Sequence, residues 1–358
     1  MDANIYRTLA QRLDSLPNGF PPTPDGVELQ LLAHIFTPEE AALAARLRMS
    51  LESPEQMALR LGGDPKELRE QLKGMARRGL IAAGRMEDGL GYKLMPFVVG
   101  IYEMQINRLD AEMARLFENY YRQAFGQVLG VQPSVHRVIP IGESVRSGME
   151  IHPFESAAEI VAAAGAWGVL DCICRKQKAL IGEGCSHPLD VCLVLHRRPG
   201  AFDQAPGVRA LTREEALETL RRAASVGLVH STTNTQEGAT YICNCCTCSC
   251  GILRGIAELG IANAVARSAF TNQVDEALCV ACDACVDYCQ FGALSLLGVA
   301  QVDALRCVGC GVCVPACPEG ALGLVRRPEV EVEAPPLSEL DWMQQRAAAR
   351  GIDLSQVL

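Results

Sequence analysis

The sequence predicts an α+β protein of several domains, on three observations. All seventeen cysteines lie from Cys172 onward. The segment before Pro96 carries helix caps ahead of amphipathic runs and closes on a hairpin pattern. Near the other end, one four-cysteine spacing is written twice. The expected organisation is a helical domain with a hairpin at 1–96, a long connecting helix at 97–130, a cysteine-rich metal-binding α/β domain at 131–269, a small module built on the repeat at 270–326, and a linker with a last helix at 327–358.

Taken in order, Thr37-Pro38-Glu39-Glu40 starts a helix with proline at its first position, and Ser53 caps a second in "SPEQMALRL". Asp64-Pro65 opens a third, with Leu68, Leu72 and Met75 on one face until Gly79. "LIAAGRMEDGLGYKLMP" then reads as two strands about a Glu87-Asp88-Gly89 turn. Over about residues 25–96 this order resembles a winged helix-turn-helix domain. The resemblance implies a DNA-reading third helix offering Lys66, Arg69, Lys73, Arg77 and Arg78. Asp64, Glu67 and Glu70 interrupt that positive field, and Glu87 and Asp88 put negative charge on the wing tip. Protein docking or a structural wing is therefore favoured over DNA as its partner. The run 98–125 reads as one long amphipathic helix, with Ile101, Met104, Leu109, Met113, Leu116 and Tyr120 as core positions or, alternatively, a homodimer face.

The most specific signal is the repeat. Cys279, Cys282, Cys285 and Cys289 follow C-x2-C-x2-C-x3-C, and Cys307, Cys310, Cys313 and Cys317 follow it again, with Pro318 after the second copy and Gln290 after the first. Residues 270–326 resemble a bacterial-type ferredoxin module that holds two 4Fe-4S clusters. The resemblance implies crossed ligation: Cys279, Cys282, Cys285 and Cys317 on one cluster, and Cys307, Cys310, Cys313 and Cys289 on the other. Zinc held by CxxC pairs would instead call for two separated pairs. Ala281, Ala284, Gly309 and Gly311 are small enough for backbone N–H groups to approach cluster sulfur.

Nine cysteines remain upstream. Cys172, Cys174, Cys185 and Cys192 are spaced C-x-C-x10-C-x6-C, and Cys243, Cys245, Cys246, Cys248 and Cys250 crowd into "YICNCCTCSC". Between them, Thr212 and Glu215 form a capping box for a helix that Gly227 ends, and "LVHST" with "ATYIC" reads as a hairpin that returns the second group towards the first. One composite iron–sulfur site, or two sites with a spare thiol, is expected. His187 and His196 flank Cys192 as further candidate ligands, though four cysteines already suffice. Arg175 and Lys176 either bring positive charge to the thiols or form a solvated face.

In order, "CICR", "GC", "HP" and "YICNCC" with the ferredoxin repeat resemble, over about residues 130–325, a group of iron–sulfur proteins of anaerobic bacteria and archaea. That implies redox work. The pair Cys245–Cys246 is also similar to the cysteine-rich modules of heterodisulfide reductases, but Thr247 follows it where glycine is usual.

The net charge of −9 disfavours wholesale nucleic-acid binding and fits steering towards a basic redox partner protein. "MDANIYRTLAQRLDSLP" does not read as a signal peptide, "IVAAAGAWGVL" is too short to span a membrane, and clustered thiols fit a reducing cytoplasm. No P-loop, dinucleotide fingerprint, zincin motif or nucleophile elbow occurs. Three functions follow: an electron-transfer protein relaying single electrons between two 4Fe-4S clusters and a further upstream iron–sulfur site; a reductase whose upstream site acts on a small substrate; or a redox-responsive regulator. The first requires the fewest added features. The acidic, proline-rich stretch after the repeat reads as extended, leading to a helix near Leu340–Ala349 that docks Trp342.

Overall fold

The computed structural model describes residues 3–358 and divides into two compact units, Met1–Val131 with Met343–Leu358, and Gln132–Trp342. Among the described residues no helix is long and apolar enough to cross a membrane.

The first unit opens with α1 (Ala3–Asp14) and α2 (Val27–Ile35). Three capped helices follow: α3 (Pro38–Ala44), α4 (Pro54–Leu61) and α5 (Pro65–Arg77). Thr37 and Ser53 form reciprocal capping boxes with Glu40 and Gln56, and the Asp64 side chain accepts the Lys66 N–H. Each such cap contributes about 1 kcal/mol. The hairpin of β1 (Ala82–Met86) and β2 (Gly89–Lys93) comes next, with Met86 paired to Gly89 across the turn.

The continuous helix expected over 98–125 is not what forms. Val98, Val99 and Gly100 have non-helical backbone angles, and regular helix starts only at α6 (Ala111–Tyr120), continuing through a π turn into α7 (Gly126–Leu129). Asp110 decides the boundary, because its carboxylate accepts the Met113 N–H at 2.8 Å as an N-cap and so competes with helix propagation. The preceding segment is held by packing instead, with Phe20, Phe97, Tyr102, Phe117 and Tyr120 in one aromatic cluster in which Tyr102 stacks on Phe117 at 3.8 Å. Ile101, Leu109, Met113 and Tyr120 belong to this core, Leu116 is half-buried and Met104 is exposed.

The second unit is built on a six-stranded antiparallel sheet. Its strands are β3 (His136–Val138), β4 (Ala166–Leu170), β5 (Cys192–His196), β6 (Arg209–Leu211), β7 (Val229–Thr233) and β8 (Tyr241–Cys245), in the order β3-β7-β8-β5-β4-β6. Helices α8 (Ala157–Ala162) and α10 (Arg213–Ser225) cover one face, where Ile160, Val161, Leu193, Leu195, Leu220 and Ile242 form a core. Helices α9 (Ile173–Leu180) and α11 (Gly251–Ala257) follow β4 and β8.

The repeat module belongs to the same unit, so the structure joins the regions 131–269 and 270–326 that the sequence separates. β9 (Phe270–Val274) pairs with β12 (Leu322–Arg326), flanking α12 (Ala284–Tyr288) and the hairpin of β10 (Leu294–Leu297) and β11 (Val299–Val302). The Ser144 hydroxyl donates to the Gly311 carbonyl at 2.9 Å and Arg326 pairs with Glu155, which fastens the module to the segment before α8. The tail after β12 runs extended, apart from one turn at Glu329–Glu331, and its Pro336 and Leu337 carbonyls accept the Gln236 and Glu237 N–H groups. In α13 (Glu339–Arg350), Trp342 is buried and its indole N–H donates to Ser134 O at 2.9 Å.

One pH dependence follows from this packing. His136 is buried, with Nε2 2.8 Å from the Tyr241 hydroxyl, and burial lowers its pKa from 6.5 to about 4. The unfolded chain therefore takes up this proton before the folded one does. The stabilisation is complete above about pH 6.5 and is lost as the pH falls towards 4, roughly 3 kcal/mol for this residue. Thermal unfolding compared between pH 7 and pH 4.5 should show a shallower loss for His136→Gln than for the wild type.

Candidate metal centres

Each copy of the repeat bends its chain by the same device. Ala281 and Asp283 in the first loop have φ of 56° and 67°, and Gly309 and Gly311 at the matching positions of the second have 71° and 79°. Left-handed residues two and four positions after the leading cysteine wrap each loop around a hollow. Cys279, Cys282, Cys285 and Cys317 line one hollow, and Cys289, Cys307, Cys310 and Cys313 line the other. Each hollow thus draws three cysteines from one copy of the repeat and the fourth from the other. The two hollows have the same cavity volume, about 20 Å³ each, which fits two like groups.

The donor chemistry of both hollows fits an iron–sulfur cluster. Backbone N–H groups of Ala300 and Ala321 approach Cys279 and Cys317 sulfur at 3.4 and 3.3 Å. In the second hollow, Ala293 N–H reaches Cys289 at 3.2 Å and the Asn272 amide reaches Cys313 at 3.1 Å. Such bonds stabilise thiolate charge, and the Asn272 contact is one the cysteine spacing gave no sign of. Burial pushes the Cys310 thiol up to about 12, so it is neutral until a metal displaces its proton. The two sites differ in exposure: Cys307, Cys310 and Cys313 are buried, whereas Cys282 is exposed and its neighbour Val280 is 61% exposed.

Gly309 and Ala281 should respond oppositely to substitution. A Cβ on Gly309 would lie 2.1 Å from Phe270 O, while Ala281 already bears its methyl at positive φ. Gly309→Ala is expected to cost about 2–3 kcal/mol or more and to empty the inner site, whereas Ala281→Gly leaves cluster content intact and raises the melting temperature slightly. Iron content and thermal unfolding check both.

Upstream, period-2 alternation explains why the thiols gather. Leu193 and Ile242 point into the helix-covered core, so Cys192, Cys243 and Cys245 point to the other face. Pairing of Leu170 with Cys192, and of Leu193 with Ile242, brings these thiols to one end of the sheet. Cys172 and Cys250 occupy the N-cap positions of α9 and α11. Six thiols follow one another around a ring, Cys172, Cys174, Cys250, Cys245, Cys243 and Cys192, each near enough to shift the titration of the next. Arg175 is 2% exposed beside the ring, not on a solvated face. Its Nη1 donates to Asn244 O at 2.9 Å and to Cys246 Sγ at 3.9 Å, while Nε and Nη2 are buried with no hydrogen-bond partner among the described residues. Those spare donors, next to so many thiols, suit an anionic group bound in the ring.

The other three upstream cysteines stand apart from the ring. Cys185, Cys246 and Cys248 gather with His187, their four donor atoms all within 4.8 Å of one another. Burial pushes the Cys185 thiol up, but hydrogen bonds from His187 and Ser249 outweigh it and bring the thiol to about 6. The nine upstream cysteines thus divide six and three, and a histidine that spacing alone left dispensable joins the smaller set. His196 is exposed, and its Nδ1 accepts the Arg198 N–H at 2.9 Å.

Gln290, the residue that replaces proline after Cys289, links the two cysteine-rich regions. Its Oε1 accepts the Thr247 N–H at 2.7 Å and its amide donates to Gly227 O. Thr247 lies between Cys246 and Cys248, so a single side chain joins the inner repeat site to the upstream thiol segment.

Comparison with known proteins adds one finding. The family model described as "4Fe-4S binding domain" matches twice, at residues 272–295 and 300–323. No curated protein and no solved structure matches the chain. The matched segments contain all eight cysteines of the repeat, and the C-terminal region is therefore an iron–sulfur region that takes two 4Fe-4S clusters.

Proposed function

We propose that this protein passes single electrons between a docking partner and the upstream thiol ring, with the two ferredoxin-type sites lying between. Cys279, Cys282, Cys285 and Cys317 hold the outer cluster; Cys307, Cys310, Cys313 and Cys289 hold the inner one. Cys172, Cys174, Cys192, Cys243, Cys245 and Cys250 hold a further iron–sulfur group. When bound, these groups supply reversible one-electron storage at low potential. The chain's own residues set the direction of travel. Exposed Val280, Leu278 and Leu297 around the outer loop offer an apolar contact for a partner protein, and the acidic surface steers a basic one towards it.

The observation that carries the reading is the Gln290 bridge, which fixes the spacing between the inner site and the upstream segment. The test is iron and acid-labile sulfide content with EPR on anaerobically purified protein. More than eight irons, and a third reducible signal, are expected; about eight irons in two cubanes would remove the upstream group and with it the relay.

The N-terminal unit fits a winged-helix-like docking element better than a DNA reader. Arg69 pairs with Glu55, Lys73 with Glu70, and Arg78 with Glu40, which neutralises much of the charge that α5 would offer to phosphate.

A further inference from the structure

We infer that Cys185, His187, Cys246 and Cys248 form a separate site for a single zinc ion, which clips the loop 181–191 to the turn after β8. Cys185 and Cys246 sulfurs are 3.9 Å apart, and His187 Nδ1 lies 3.4 Å from Cys185 sulfur and 3.8 Å from Cys248 sulfur. Bonds of about 2.3 Å to sulfur and about 2.0 Å to nitrogen in a tetrahedron put two sulfurs about 3.8 Å apart and sulfur and nitrogen about 3.5 Å apart. These three separations match a single-ion tetrahedron, and all four donors lie within 4.8 Å of one another.

A cubane makes the opposite demand, because its four thiolates bind four different irons and must stand farther apart. The repeat loops meet that demand: their thiols line hollows instead of crowding a point. Three cysteines and a histidine are also a known structural zinc set, and with four protein ligands no position is left open for a substrate.

The location gives the ion a task. The loop 181–191 contains no helix or strand, and beneath it Val191, Ala223, Leu228 and Cys246 form a small core. Zinc binding, with release of the thiol protons, ties Cys185 and His187 to the segment that also carries ring members Cys245 and Cys250. The site thus holds one wall of the thiol ring in place, and the inference stands whether or not the ring carries iron.

The test is elemental analysis of the full chain, purified anaerobically from cells supplied with both metals, together with zinc K-edge absorption. About one zinc per chain, in a shell of three sulfurs and one nitrogen, is expected. His187→Ala and Cys248→Ser should each reduce bound zinc about tenfold or more after mild chelation while leaving the two cubane EPR signals of the repeat unchanged. Absence of zinc from the wild type, a four-sulfur shell, or zinc retained when His187→Ala and Cys248→Ser are combined would each overturn the assignment. Should the variants fail to fold, the coordination shell of the wild-type protein decides alone.

Discussion

Replacing Gln290 with proline is expected to slow electron exchange between the ferredoxin-type sites and the upstream ring about tenfold or more, while both cluster signals of the repeat survive. Proline is the residue that follows the fourth cysteine of the second copy, at Pro318, so the loop itself should tolerate it. What is lost is the pair of hydrogen bonds to Thr247 N–H and Gly227 O. At about 1 kcal/mol each, their removal lowers the population of the fastened arrangement by a factor of about thirty. Gln290→Glu separates the two contributions, since its carboxylate keeps an acceptor for Thr247 but has no donor for Gly227. Freeze-quench EPR after mixing with a one-electron reductant reads both rates. A wild-type rate in the proline variant would mean that the bridge is structural only and that electrons take another route.

How much of this was legible in the sequence depends on the range of the interaction. The caps at Thr37, Ser53, Asp64 and Thr212 are local, and each helix begins where its cap stands. The loops around Cys279 and Cys307 are equally local, because three thiols and two left-handed residues fall within seven positions. The long helix over 98–125 failed for a local reason as well: the apolar period was followed across Asp110, whose capping carboxylate outweighs it. Packing around Phe97 and Tyr102, which has no period, then holds the rest.

The upstream thiols were only half legible. That two groups meet follows from a helix and a hairpin, but their division into six and three depends on strand register and on which face each cysteine takes. Ile242 lies opposite Leu193, and a slip by one residue would turn Cys243 into the core. No spacing rule carries that information. Gln290 was visible only as a departure from the ferredoxin pattern, and its partners lie 43 and 63 residues away in sequence.

Arg175→Met is expected to lower the reduction potential of the upstream site by on the order of 100 mV and to lower the stability of the metal-free chain as well. The two effects share one cause. A guanidinium that is 2% exposed has lost its water, and two of its donor nitrogens, Nε and Nη2, have no hydrogen-bond partner among the described residues. In the metal-free chain that desolvation is outweighed by the Cys172, Cys192 and Cys246 sulfurs, with Asn244 O and Cys246 Sγ accepting from Nη1, so methionine removes a stabilising charge and leaves the thiols uncompensated. With an anionic group in the ring, the same charge stabilises the reduced, more negative state. At about 4 Å and an effective dielectric constant of about 20 the attraction is about 4 kcal/mol, and screening by the surrounding thiolates leaves a fraction of it. Since about 1.4 kcal/mol corresponds to about 59 mV for one electron, a fall near 100 mV follows. Arg175→Lys keeps the charge and should recover most of the potential and of the stability. Redox titration of the upstream signal and thermal unfolding of the metal-free protein measure the two halves independently. An unchanged potential in Arg175→Met would mean that the guanidinium neutralises thiols for folding and has no electrostatic hold on the bound group.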